Sequence, residues 1–258
     1  MISPRKLLIP VASLIVAGAV ILALYRPAGH DVVAVEVEYA EGVTGYLAQP
    51  DNGGTYPALV LIHEWWGLNE DIKHTARRFA AEGYVALAVD MYDGEVAADS
   101  DRARALSSAV RADVPGAMAN LSAAAAFLRS HASVRADDLA AVGWCFGGGW
   151  SFQMATGDFG LDAAVVFYGQ FDPEADLSNA PRILGHFGEE DAGIPLENVS
   201  RLSSALDAQD DGHAVYTYPG AGHAFFNYRG GENANYREDA ANTAWSRTLK
   251  FLDGAFGG

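Results

Sequence analysis

From residue 32 onward the chain alternates between two textures: short runs of apolar, often β-branched residues, and longer Ala-rich stretches that are amphipathic at helical spacing. That alternation predicts an α/β domain around a largely parallel sheet. Strands are expected at 32–39, 43–49, 58–63, 85–90, 139–144, 163–168, 182–187 and 214–218. Helices are expected at 71–81, 100–111, 116–130, 148–156, 196–209 and 235–252, the last being the longest. The first two strands, joined through Glu41 and Gly42, read as an antiparallel pair at a sheet edge. Asn120-Leu-Ser and Asn198-Val-Ser match the glycosylation pattern, but both fall inside expected helices.

Residues 7–24 break this texture. They form 18 uncharged, mostly apolar residues preceded by Arg5 and Lys6, just long enough to span a bilayer core. A cleaved signal usually has a shorter apolar region, about 7–15 residues, and ends at a small-x-small site, which Ala23-Leu24-Tyr25 spoils. An uncleaved anchor is therefore the preferred reading and a cleaved signal the alternative. Either one places residues 31–258 outside the cytoplasm, because the cations lie on the short amino-terminal side. The expected organisation is an anchor and linker over 1–30 and one catalytic-size domain over 31–258.

Composition narrows the chemistry. Half of the 258 residues are apolar, enough to build a core, and 33 acids against 17 Lys plus Arg give a formal charge of −16. An acidic body without a basic run interleaved with aromatics is unsuited to nucleic acid. The single cysteine, Cys145, excludes an intramolecular disulfide, a CxxC redox pair and multi-cysteine metal sites. His63-Glu64 opens like a zinc-protease motif, but Gly67 stands where the second histidine is needed, so no metal and no cofactor are expected. His74, His131 and His213 fit solvated positions, and His186 fits core packing inside a strand.

The most informative stretch is the apolar run ending in Gly143-Trp144-Cys145-Phe146-Gly147. It has the form of a nucleophile elbow, glycine-x-nucleophile-x-glycine, with cysteine in place of serine. A strand turning sharply into a helix strains its central residue, and side chains two before and two after it would collide. The thiol would then stand at a helix amino terminus, where dipole and free N–H groups favour the thiolate. Such a nucleophile needs a base and a group to orient it, in the chain order nucleophile, acid, histidine. Asp191 and His223 follow strands in that order, with Glu189, Glu190 and Asp172 as competitors for the acid. A thiol redox sensor would need a low-pKa exposed cysteine, but the chain holds no resolving cysteine, and an idle binding protein would be expected to have lost a member of the set; all three members are here.

Five segments together resemble the dienelactone hydrolase family of α/β-hydrolases, over roughly 43–251: Val60-Leu-Ile-His-Glu64-Trp-Trp-Gly67-Leu-Asn, Val89-Asp-Met-Tyr92, the Cys145 elbow, Gly188-Glu-Glu-Asp191 with Pro195, and Tyr218-Pro-Gly-Ala-Gly-His223-Ala-Phe. The resemblance implies the α/β-hydrolase fold, a Cys145–His223–Asp191 triad, and a role for Glu64 in generating the thiolate when substrate arrives. The expected activity is hydrolysis of a small ester or lactone through a thioacyl enzyme, with the backbone N–H groups of Phe146 and Trp65 holding the oxyanion. Trp65, Trp66, Tyr92, Phe225 and Asn227 are expected around the substrate. Family members that act on dienelactone hold its carboxylate with two arginines, one shortly after the Asp-x-Tyr and one four residues after the histidine. Here Tyr92-Asp93-Gly94-Glu95 has none and Asn227 fills the second position, so a neutral substrate is expected unless Arg102 or Arg229 substitutes.

Overall fold

The computed structural model describes residues 29–209, 212–228 and 233–257. Residues 7–24 and Arg229 lie outside them, and among the described residues no helix is long and apolar enough to cross a membrane. Strands β1 (Val32–Ala40), β2 (Val43–Pro50), β3 (Tyr56–Ile62), β4 (Val85–Val89), β5 (Val134–Trp144), β6 (Ala163–Phe167), β7 (Arg182–Gly188) and β8 (Ala214–Tyr218) form one sheet in the order β1-β2-β4-β3-β5-β6-β7-β8. Around it lie α1 (Glu70–Ala81), α2 (Ser100–Ala112), α3 (Val114–Ser130), α4 (Phe146–Thr156), α5 (Leu196–Asp207) and α6 (Glu238–Ala255). Only the β1/β2 and β2/β4 pairs are antiparallel; β3 to β8 run parallel.

The hydrophobic pattern explains this layering. β3, β4 and β6 are apolar at nearly every position because helices cover both faces. Successive residues alternate between the two cores. Leu59, Leu61, Ala86 and Ala88 face one that includes α1, α5 and α6, while Val60, Ile62, Leu87 and Val89 face another built with α3. β1 alternates between half-buried and exposed, as an edge strand does.

Two element starts differ from the sequence expectation by three residues or more. β5 begins at Val134 rather than 139 because the polar residues 135–138 continue the strand at an exposed end, where Tyr56 pairs with Val134. α6 begins at Glu238 rather than 235, since Asn233 and Asn235 are engaged in the preceding loop, the Asn235 N–H donating to Asn233 Oδ1 at 3.0 Å. The strand order places β3 and β5 side by side, with β4 following β3 on one flank and β6 following β5 on the other. That reversal opens a crevice at the carboxyl ends of β3 and β5.

Candidate active site at the switch point

Cys145 caps β5 and starts α4 at φ 53 and ψ −113, a left-handed backbone unusual for any residue but glycine. The turn survives because its flanks are glycines. A Cβ on Gly143 would overlap the Gly147 carbonyl and come within 2.8 Å of the Gly148 nitrogen, and one on Gly147 would overlap the Ile62 carbonyl of β3. The Cys145 N–H donates to the Phe167 carbonyl at 3.0 Å, tying the elbow to β6. The thiol is half-buried, on the wall of a cavity of about 330 Å³ shared with Glu64, Trp65, Trp66, His223 and Asn227. No lysine or arginine among the described residues lines that cavity.

His223 lies on the loop after β8 and Asp191 on the loop after β7. His223 Nδ1 donates to Asp191 Oδ2 at 2.7 Å, and Asp191 Oδ1 accepts the Gly193 N–H at 2.9 Å. Asp191 is buried, whereas Glu189 is exposed and accepts from the Thr217 hydroxyl, and Asp172 accepts the Glu174 N–H. Of the carboxylates that compete in sequence, Asp191 is the one bonded to the imidazole. Burial alone pushes the His223 imidazolium toward losing its proton, but its hydrogen bonds to Asp191 and Cys145 outweigh that and hold its pKa up at about 10.

Glu64 follows β3 and accepts from Tyr168 Oη at 3.1 Å and from the Asn227 amide. Burial raises its pKa above the ordinary carboxyl value, while Asn227, His223 and Tyr168 draw it partly back. Tyr168 was not singled out in the sequence. It is fully buried at φ 37, its ring lies 5.2 Å from that of His223, and its phenol pKa is driven well up by burial and by the neighbouring Glu64 and Cys145. Its place directly after an apolar strand run gave it the look of core; the only signal was a tyrosine at a strand's carboxyl end beside Gly169.

Of the residues expected around the substrate, Trp65, Trp66 and Asn227 line the cavity and two do not. Tyr92 is 5% exposed, with its hydroxyl donating to the Trp65 carbonyl at 3.2 Å, so it supports the loop from beneath. Phe225 is fully buried against Tyr168 and Tyr218, because the aromatic residue two after His223 turns into the core. The N–H of Phe146, first in α4, and that of Trp65 have no acceptor among the described residues. His63 is fully buried beneath the site. Its Nε2 accepts the Met91 N–H, so Nδ1 carries the proton given to the Glu64 carbonyl at 2.5 Å. Arg102 is exposed and clasped by Glu95, away from the cavity. His213, expected in solvent, instead accepts the Ile183 N–H at 3.0 Å.

Residues 43–256 match the profile of the dienelactone hydrolase family. This chain belongs to that family. It is a hydrolase of the lactone- and ester-cleaving class. A protein of Methylorubrum extorquens, named provisionally as a carboxymethylenebutenolidase, is 33% identical over 232 residues, covering 83% of this chain and 77% of its own. One from Bradyrhizobium, named provisionally as a 2-oxo-3-(5-oxofuran-2-ylidene)propanoate lactonase, is 30% identical over 225 residues, covering 82% and 89%. Among solved structures, a dienelactone hydrolase-like promiscuous phosphotriesterase from metagenomic libraries superposes with a TM-score of 0.75 at 26% identity, covering 88% of this chain and 99% of that one.

Proposed function

We propose that this member of the dienelactone hydrolase family cleaves a neutral ester or lactone with Cys145 as nucleophile, His223 as acid and base, and Asp191 as the group that orients His223. The observation that carries the reading is the strained Cys145 elbow sharing one cavity with a histidine bonded to a buried carboxylate. The Cys145 sulfur has an imidazolium beside it and a helix amino terminus beneath it, two features that favour attack by an anionic sulfur. The thiolate sulfur attacks the carbonyl carbon, and the oxyanion forms against the N–H groups of Phe146 and Trp65. Collapse breaks the ester C–O bond, and the leaving oxygen takes the proton from His223. The neutral imidazole then accepts a proton from water as its oxygen attacks the thioester. Thiolate leaves, the acid product departs, and the thiolate–imidazolium pair is restored.

Glu64 is the remaining ionisable wall of the cavity. We assign it to positioning the Cys145 sulfur and disfavouring a bound carboxylate; a cavity lined by this acid and by no described lysine or arginine favours neutral substrates. The proposal extends to location: residues 7–24 anchor the chain, with 31–258 outside the cytoplasm. A panel of a neutral aryl ester, a neutral lactone and a carboxylate-bearing dienelactone, run beside Cys145→Ala, tests the function. Turnover strongest on the neutral compounds and lost in the variant is expected. Preference for the anionic lactone would contradict the substrate class, and turnover that survives in Cys145→Ala would contradict the nucleophile.

A further inference from the structure

A second cavity, of about 170 Å³, opens at the same end of the sheet and contains none of Cys145, His223 and Asp191. Glu64 and Asn227 line both cavities, so their hydrogen bond forms part of the partition between the two. On the far side of that partition stand α1, the start of α6 and the aromatic residues Phe226, Tyr228 and Tyr236.

Two donors on its walls are left without acceptors among the described residues. Trp144 is 3% exposed, and its Nε1–H makes no hydrogen bond. The indole is held in place by stacking on Phe167 and Phe226, with centroids 5.4 and 6.0 Å away. The Nε1 atom itself has almost no accessible surface, so the Trp144 ring borders the cavity as a wall and its N–H stays out of reach of an occupant. The second donor is Arg78. Its guanidinium lies 4.0 Å over the Trp245 ring, which occupies one face and leaves the in-plane N–H fork for another group. Lys73 and Arg77 on the same helix pair with Glu36 and Glu70, but no carboxylate among the described residues pairs with Arg78.

We propose that this cavity is a binding site for a small monocarboxylate with a flat apolar body, its carboxylate directed to Arg78 and its body against Phe226, Tyr236 and the Trp144 ring. Arg suits a carboxylate because two parallel N–H groups match its two oxygens. A single charge is specified by the walls themselves: Glu64 and Asp71 also line the cavity, so a dianion such as phosphate meets two acids with one cation to offset them. The aromatic walls reward apolar surface that phosphate lacks. Hydrolysis of an ester or lactone releases a carboxylic acid, so the site is placed to hold that product. This link rests on the function proposed above, whereas the binding itself does not.

The test uses the full chain with its five tryptophans labelled with ¹⁵N at the indole, Trp144 being assigned through Trp144→Phe. Titration with benzoate is expected to move the Trp144 resonance to saturation, and the uncharged isostere benzamide to leave it in place. Arg78→Gln is expected to weaken benzoate about tenfold or more, and Arg78→Lys, which keeps the charge and loses the fork, to weaken it less. If Arg78→Gln does not fold, the comparison of wild type with Arg78→Lys and with benzamide decides. The proposal is overturned if benzoate leaves Trp144 unmoved, if benzamide moves it equally, or if folded Arg78 variants bind benzoate as wild type does. Cys145→Ala separates the two readings: benzoate binding that persists there supports this site whatever happens to hydrolysis, and binding that is lost there assigns the ligand to the Cys145 cavity and contradicts it.

Discussion

At the candidate site the charges of His223 and Glu64 are set by their neighbours. Asp191 holds the His223 ring through Nδ1 and keeps its proton on up to about pH 10. Replacing Asp191 with Asn removes the charge and most of the shape-preserving reason for that tautomer, and kcat is expected to fall by about 10²–10⁴, measured on a neutral aryl ester. His223→Ala is expected to stall deacylation, so a burst of product followed by little turnover should be seen in stopped-flow traces. Tyr168 acts at one remove. It is a positioning residue whose hydroxyl lowers the Glu64 pKa against the effect of burial. In Tyr168→Phe the Glu64 carboxyl therefore titrates at higher pH, and the acidic limb of the kcat/KM profile should move up in pH. A profile identical to wild type would show that the hydroxyl has no part in the chemistry.

At the scale of elements, the elbow is held by what its glycines lack. Gly143→Ala or Gly147→Ala forces a Cβ into backbone atoms of α4 or of the end of β3, and a loss of about 3 kcal/mol or more is expected by chemical denaturation. Gly254→Ala in α6 is the contrasting case: a Cβ there meets nothing, and the substitution should stabilise by up to about 1 kcal/mol through helix propensity. The same contrast explains what was readable from sequence. Buried strands announced themselves as continuous apolar runs, and the glycines, the cysteine and the strand-then-loop positions of Asp191 and His223 are local features. Tyr168 reaches Glu64 across 104 positions of sequence, and Arg78 and Trp144 meet one cavity from different elements. Such pairings exist only after folding. Phe225 was misplaced for a related reason: two residues beyond His223 the chain reverses, with Ala224 at φ 61, and the aromatic ring turns inward.

Across the whole molecule, three histidines set how stability follows pH. His63 and His186 are fully buried and neutral, with pKa values lowered by desolvation to about 4 and about 3. The unfolded chain binds those protons near pH 6.5 and the folded chain does not, so stability falls as pH drops from about 6.5 toward 4, by about a few kcal/mol at most. His223 works in the opposite direction. Its raised pKa contributes stability that is complete below about pH 6.5 and is lost as pH rises through about 10. Thermal unfolding from pH 4 to 10 should therefore pass through a maximum, and His186→Asn should flatten its acid side if the folded network with Tyr218 and Thr248 is kept. The formal charge of −16 adds self-repulsion that salt screens, so the unfolding temperature should rise with ionic strength. The most direct test of the central claim is the intact mass of the protein during turnover of a neutral aryl acetate, followed by peptide mapping. The account predicts one acetyl group on Cys145, accumulating in His223→Ala and absent from Cys145→Ala. An acetyl group on any other residue, or undiminished hydrolysis by Cys145→Ala, would contradict it.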